Sequence, residues 1–249
     1  MTSRYVALGS SMAAGPGIRP RAAGAPCGSG RSARNYAHLV ADELKLDLVD
    51  VTFSGATTAH VLAERQRGAP PQIGALDGTE SLVTITIGGN DVGYIPLLMA
   101  ASLPGIARKV PRIAALLNHN AREEALAQVG DSLHAVGAEA RRRAADAQIF
   151  FVDYLTMLPP PGTAAPPLSA ADAALGRHVA IRLEELTAAA AQSSGCGIVR
   201  AGQASRNHHP WSAEPWTVGA AWPLPWRPAP FHPNAAGMAA VAGLINAQL

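Results

Sequence analysis

The chain has 249 residues, long enough to bury a sizeable core. Hydrophobic residues make up 48% and charged ones 15%, a balance that excludes an intrinsically disordered chain. The formal net charge is +2 without a polybasic block, and no apolar run reaches the roughly 18 residues of a membrane span. No nucleic-acid partner and no membrane span are therefore expected.

Residues 5–8 read as a first short strand ending at Gly9. That strand leaves no room ahead of it for a charged and then apolar signal segment, so the expectation is a cytoplasmic chain, or a secreted one in its mature form. A Gly-, Pro- and Arg-rich loop covers 15–34, and Asn35 looks like the N-cap of a helix to Leu44. A second strand is expected over 48–52, and Thr57 or Thr58 caps a helix to Arg65. Residues 82–87 are β-branched and apolar, as a central parallel strand requires. A long helix is expected from about Arg122 to Ala145, ending in the run Arg141-Arg142-Arg143 as a solvated face. A fourth strand over 148–152, a helix over 170–193, a short strand at Ile198-Val199 and a helix from near Asn234 complete the pattern.

Strands alternating with helices predict a three-layer α/β/α sandwich, with a mainly parallel, flavodoxin-like sheet of about five strands. No boundary divides 1–249, so one domain is expected. In such sheets ligands bind beyond the carboxyl ends of the strands. The turns after strands one, two and three should therefore meet at one edge. Cys27 and Cys196 sit in Gly-rich loops, where two free thiols are favoured over a single bridge.

Those turns carry the candidate chemistry. The first is Gly9-Ser10-Ser11-Met12-Ala13-Ala14-Gly15, a serine at a strand-to-helix turn, or else plain turn composition with serine caps. The second, Ser54-Gly55-Ala56-Thr57-Thr58, offers an unobstructed Gly55 N–H, or is an ordinary capped turn. The third, Gly88-Gly89-Asn90-Asp91, presents an amide that can donate to an oxyanion, or is an Asx cap. Late in the chain, Phe231-His232-Pro233-Asn234-Ala235-Ala236-Gly237 puts a histidine just before the closing helix.

In this order the four segments resemble the blocks of the SGNH hydrolases, in particular the GDSL-branch bacterial esterases and lipases, and the resemblance runs from Tyr5 to the last helix. It implies Ser11 as nucleophile and His232 as base. It also implies an oxyanion hole of Ser11 N–H, Gly55 N–H and the Asn90 amide, acting on a small-molecule ester without metal or cofactor. The chain departs from the family pattern twice. Ser10 stands where the family has Asp, and Ala229 stands three residues before His232, where many members carry the acid that orients the imidazole. Some members use a backbone carbonyl there instead, so a Ser-His dyad is expected, with His232 Nδ1–H on a main-chain carbonyl between Arg227 and Pro230.

The implied activity is hydrolysis of short- to medium-chain carboxylic esters. An acyltransferase or a carbohydrate O-acetylesterase on the same site, and a non-catalytic binding domain, are the alternatives. Met12, Tyr94, Ile95 and Trp211 are candidate pocket residues, with Leu97 and Leu98 beside them; ordinary core is the competing reading. Trp211, Trp216, Trp222 and Trp226 cluster in the long loop before His232, to wall the site or to pack the loop. His208 and His209 have no acidic or histidine partner at ligand spacing, so no metal site is expected. Asp91 is expected to fix its turn. Nothing in the sequence specifies an oligomeric state.

Overall fold

The computed structural model describes residues 3–221 and 227–249. Trp222 and Trp226, and 223–225 between them, lie outside the described residues. Five parallel strands form one sheet: β1 (Arg4–Gly9), β2 (Asp47–Asp50), β3 (Glu80–Thr86), β4 (Gln148–Val152) and β5 (Gly197–Val199), in the order β2-β1-β3-β4-β5. This is the flavodoxin-like order, and its switch point lies between β1 and β3. The two turns that leave those strands are the first and third of the candidate turns.

The α-helices among the described residues are α1 (Ser11–Ala14), α2 (Tyr36–Leu44), α3 (Thr58–Leu62), α4 (Tyr94–Ala101), α5 (Pro111–Leu116), α6 (His119–Arg143), α7 (Ala170–Ser193), α8 (Ala201–Ala204) and α9 (Ala235–Asn246). Parallel strands joined by right-handed crossovers send helices to opposite faces as the direction of travel reverses. Accordingly α2 packs with α9 on one face, and α6 packs with α7 on the other. Leu126, Val129, Leu133, Val136 and Ala140 form the buried stripe of α6 at helical spacing. Truncating a buried leucine such as Leu133 to alanine costs about 2–5 kcal/mol. None of these helices is long and apolar enough to cross a membrane.

Several boundaries differ from the expectation, each for a local reason. β2 stops at Asp50 rather than Thr52 because the Asp50 carboxylate accepts the Thr52 N–H (2.9 Å) and hydroxyl (2.7 Å), which curls the chain out of the ladder. β3 starts at Glu80, a buried carboxylate that pairs with Arg4 at 3.1 Å and accepts the N–H groups of Asp77 and Gly78. A charged residue hid that start. α3 ends at Leu62, short of Arg65, where the chain turns into the Gln66–Ala69 bridge. α6 begins three residues early because Asn118 caps it through the Ala121 N–H. α1 follows the strand-to-helix turn expected at Ser11, whereas α4, α5 and α8 are not anticipated by the sequence pattern. Arg142 and Arg143 pair with Glu139, while Arg141 caps carbonyls of Ala145, Ala147 and Gly195 at the end of α6. Cys27 and Cys196 are both free.

Candidate active site

The first turn begins where β1 runs out at Gly9. The buried Gln72 side chain takes both backbone groups of Gly9: its Oε1 accepts the N–H at 2.7 Å and its Nε2 donates to the carbonyl at 3.0 Å. Gly9 has φ +149°, and a Cβ there would lie 2.6 Å from the Thr86 carbonyl oxygen. Only glycine lets β1 end so close to β3. Ser10 N–H then donates to that Thr86 carbonyl at 2.9 Å. Ser11 follows as the first residue of α1, only 7% exposed. Its N–H is one of the donors a helix start leaves without an internal partner.

His232 arrives from the opposite end of the sequence, on a loop that is held at several points. Phe231 N–H donates to the Val218 carbonyl and Val218 N–H to the His232 carbonyl, each at 2.9 Å. Asn234 N–H donates to Trp216 O at 2.9 Å, and Asn234 caps α9 through the Gly237 N–H. A Cβ on Gly237 would stand 2.2 Å from Trp216 O, so glycine is required where α9 meets this loop. Ala229 N–H donates to Pro16 O at 3.1 Å, which fastens the histidine loop to the one that follows Ser11.

These constraints bring His232 Nε2 to 2.7 Å from Ser11 Oγ and His232 Nδ1 to 2.8 Å from the Pro230 carbonyl. A carbonyl only accepts. The neutral ring therefore carries its proton on Nδ1, and Nε2 is free to accept the Ser11 hydroxyl proton. Burial pushes the His232 pKa below the ordinary histidine value, and the Pro230 hydrogen bond opposes that shift. Among the described residues, no carboxylate contacts the imidazole. Asp153 instead accepts the Gly202 N–H at 2.7 Å, and its other oxygen is buried without a partner among the described residues. Glu214 offers its main-chain carbonyl to His208 Nδ1.

The second and third turns are braced to each other. Asn90 Nδ2 donates to Ala56 O at 2.8 Å, which leaves the second amide proton free. Asp91 accepts the Thr58 N–H at 3.0 Å and the Thr58 hydroxyl at 2.5 Å, as a turn-fixing residue does. Burial raises the Asp91 pKa against these Thr58 hydrogen bonds. Gly55 has φ +80°, and its N–H finds no acceptor among the described residues. Ser11, Gly55, Asn90 and His232 line one open, largely apolar cleft of about 350 Å³. A serine beside a neutral histidine acceptor, in a cleft that Gly55 and Asn90 also line, can transfer an acyl group.

The pocket expectations need correction. Ile95 lines the cleft, but Met12, Tyr94 and Trp211 do not. Pro96 and Met99, which the sequence reading missed, do. Residues 94–101 are a helix, so 95, 96 and 99 share the face toward the cleft while Tyr94, Leu97 and Leu98 are buried on the other. Met12 is buried in the core on α1, and Trp211 packs against the core. His208 stacks on Trp216 with ring centroids 4.0 Å apart, and His209 Nδ1 accepts the Trp211 N–H at 3.2 Å. Both histidines therefore serve to pack the loop. Gln72 was also missed, since a glutamine in a Pro-rich loop carries no sequence signal of its role.

The family model described as "GDSL-like Lipase/Acylhydrolase family" matches residues 7–240. The chain belongs to this family. It is thus an ester hydrolase of the GDSL/SGNH type with the α/β/α fold of that group. This GDSL-family chain is similar to Lipase 2 of Streptomyces coelicolor, at 32% identity over 250 residues, covering 95% of this chain and 82% of that protein. Two solved structures share its fold over the whole of both chains, each at 24% identity. They are a phospholipase A1 from Streptomyces albidoflavus, with TM-score 0.84, and an extracellular lipase from Streptomyces rimosus, with TM-score 0.82.

Proposed function

We propose that this GDSL-family hydrolase is a serine esterase that cleaves short- to medium-chain carboxylic esters with a Ser11–His232 dyad. The observation that carries the reading is the chain of contacts from Ser11 Oγ to His232 Nε2 and from Nδ1 to the Pro230 carbonyl. As Ser11 Oγ attacks the ester carbonyl carbon, its proton passes to Nε2. Ser11 N–H, Gly55 N–H and the free Asn90 amide proton meet the charge that develops on the carbonyl oxygen. The imidazolium then gives that proton to the leaving alkoxide, which departs as the alcohol. Water, deprotonated by the same nitrogen, releases the acid from Ser11. The Pro230 carbonyl dipole stabilises the imidazolium less than a carboxylate would. A cleft of about 350 Å³ with Ile95, Pro96 and Met99 on one wall supports an acyl group of modest length.

The test is a serine-directed phosphonate probe together with a p-nitrophenyl ester series from acetate to palmitate. Ser11 should be labelled, Ser11→Ala should lose both labelling and turnover, and rates should peak at short or medium chains. Turnover that survives in Ser11→Ala but not in Ser10→Ala would place the nucleophile one residue earlier.

A further inference from the structure

Tyr154 lies two residues beyond the end of β4, far in sequence from every block that carries the site. Its hydroxyl nevertheless sits between the two most important turns. It accepts the Gly89 N–H at 3.0 Å and lies 3.2 Å from Ser10 Oγ. The N–H can only donate, so the phenol oxygen is the acceptor there, and the contact with Ser10 is carried by one hydroxyl donating to the other, through either the Ser10 proton or the phenol's own. Burial pushes the Tyr154 pKa up to about 12, so the phenol proton is present throughout the working range. The ring lies flush on the third turn. A Cβ on Gly89 would be 2.2 Å from Tyr154 Cε2, so the glycine and the tyrosine fit only as a pair. One neighbour of each contact is a proposed reacting group: Ser10 precedes Ser11, and Gly89 precedes Asn90. Ser10 caps no helix N–H with its side chain, so among the described residues its hydroxyl pairs with Tyr154. The Ser10 position is the one where the family carries Asp, and here a neutral Ser-Tyr pair occupies it.

We propose that Tyr154 is a positioning residue: its hydroxyl bridges Ser10 and Gly89, and so sets the spacing between the Ser11 nucleophile and the Asn90 donor. The proposal rests on the roles given to Ser11 and Asn90 above. Without the phenol oxygen, the Gly89 N–H loses its acceptor, and the third turn can shift relative to the first. The group that suffers is the Asn90 amide, which acts in the transition state, so kcat should fall while KM holds.

The test is a double-mutant cycle of Tyr154→Phe with Asn90→Ala on p-nitrophenyl butyrate, with Tm recorded for each protein. Tyr154→Phe alone should lower kcat about 10- to 100-fold with KM changed less than about threefold. In the Asn90→Ala background the same change should cost less than about threefold, because the donor it positions is gone. A general loss of structure would instead multiply through both backgrounds. If Tyr154→Phe fails to fold, Ser10→Ala takes its place in the cycle, since it removes the hydroxyl that pairs with the phenol. An impaired Asn90→Ala enzyme in which the Tyr154→Phe loss persists in full overturns this proposal alone. An Asn90→Ala enzyme with unchanged kcat overturns the oxyanion reading and this proposal with it.

Discussion

His232 finds the partner for its Nδ1 proton inside its own loop, at the carbonyl of Pro230, 2.8 Å away and two residues earlier. Phe231 between them adopts φ +55° with its ring fully buried. A left-handed backbone at a bulky residue is uncommon and costs of order 1 kcal/mol or more, so the surrounding contacts must hold it. The pairing of Phe231 and His232 with Val218 does so, and it aims the carbonyl of Pro230 at the ring.

The pH profile follows from this environment. His232 must be neutral to accept the Ser11 proton, and burial lowers its pKa. The acidic limb of kcat/KM should therefore have its midpoint below about 6.5, with the plateau reached by neutral pH. A limb centred above 7, or a flat profile from pH 5 to 8, would contradict the assignment of His232 as base.

Ala229→Asp should move that limb the other way. Ala229 lines the cleft with His232, so a carboxylate there favours the imidazolium. The midpoint should rise relative to wild type, as measured by rate profiles at constant ionic strength. An unchanged midpoint in a folded variant would mean that the new carboxylate does not reach the field of the ring.

Asn90→Ala should cost about 3 kcal/mol of transition-state stabilisation, roughly a hundredfold in kcat/KM. Asn90 also ties its turn to Ala56, so Tm should fall slightly as well. Steady-state kinetics on one ester, beside a thermal melt, separates the two effects.

Gly17 seats the histidine loop. It has φ +83°, and a Cβ there would lie 1.9 Å from the Arg227 carbonyl oxygen. Gly17→Ala must therefore push the 227–230 segment away from the loop that follows Ser11. A displacement of about 1 Å at the base is enough for a loss near a hundredfold in kcat. Phosphonate labelling of Ser11 should slow in parallel; unchanged labelling would show that the loop absorbs the methyl elsewhere.

Asp153 should set a pH-dependent stability unrelated to catalysis. Burial raises its pKa to about 7, and one of its oxygens has no partner among the described residues. Below about pH 4 both the folded and unfolded chains hold the proton, and no penalty arises. Between about pH 4 and 7 the unfolded chain ionises first, so this group removes stability as pH rises, and above 7 the loss is complete. Asp153→Asn should therefore raise Tm relative to wild type at pH 8 and change it little at pH 4. A larger gain at pH 4 would reverse the sign of the argument.

The parallel α/β pattern was legible because it is local. Apolar β-branched runs, caps at Asn35 and Thr57, and helical spacing each act over a few residues. β4 and α7 fall on the expected residues for that reason. The order of the glycine-bearing turns and the late histidine was equally visible, since each block is contiguous. The helix of Tyr94–Ala101 was not. Its residues are apolar on nearly all sides, and this obscured which face met the cleft.

Only the tertiary structure decided what meets across the chain. Ser11 and His232 are 221 positions apart, and Ser10 and Tyr154 are 144 apart. Tyr154 and Gln72 carry no motif, because a hydrogen bond to a distant turn leaves no periodic trace in the sequence. The sequence narrowed the partner of His232 to a few carbonyls by placing alanine where a carboxylate would stand. The choice of Pro230 came from the backbone angles of Phe231, and these follow from the strand of chain packed beside it.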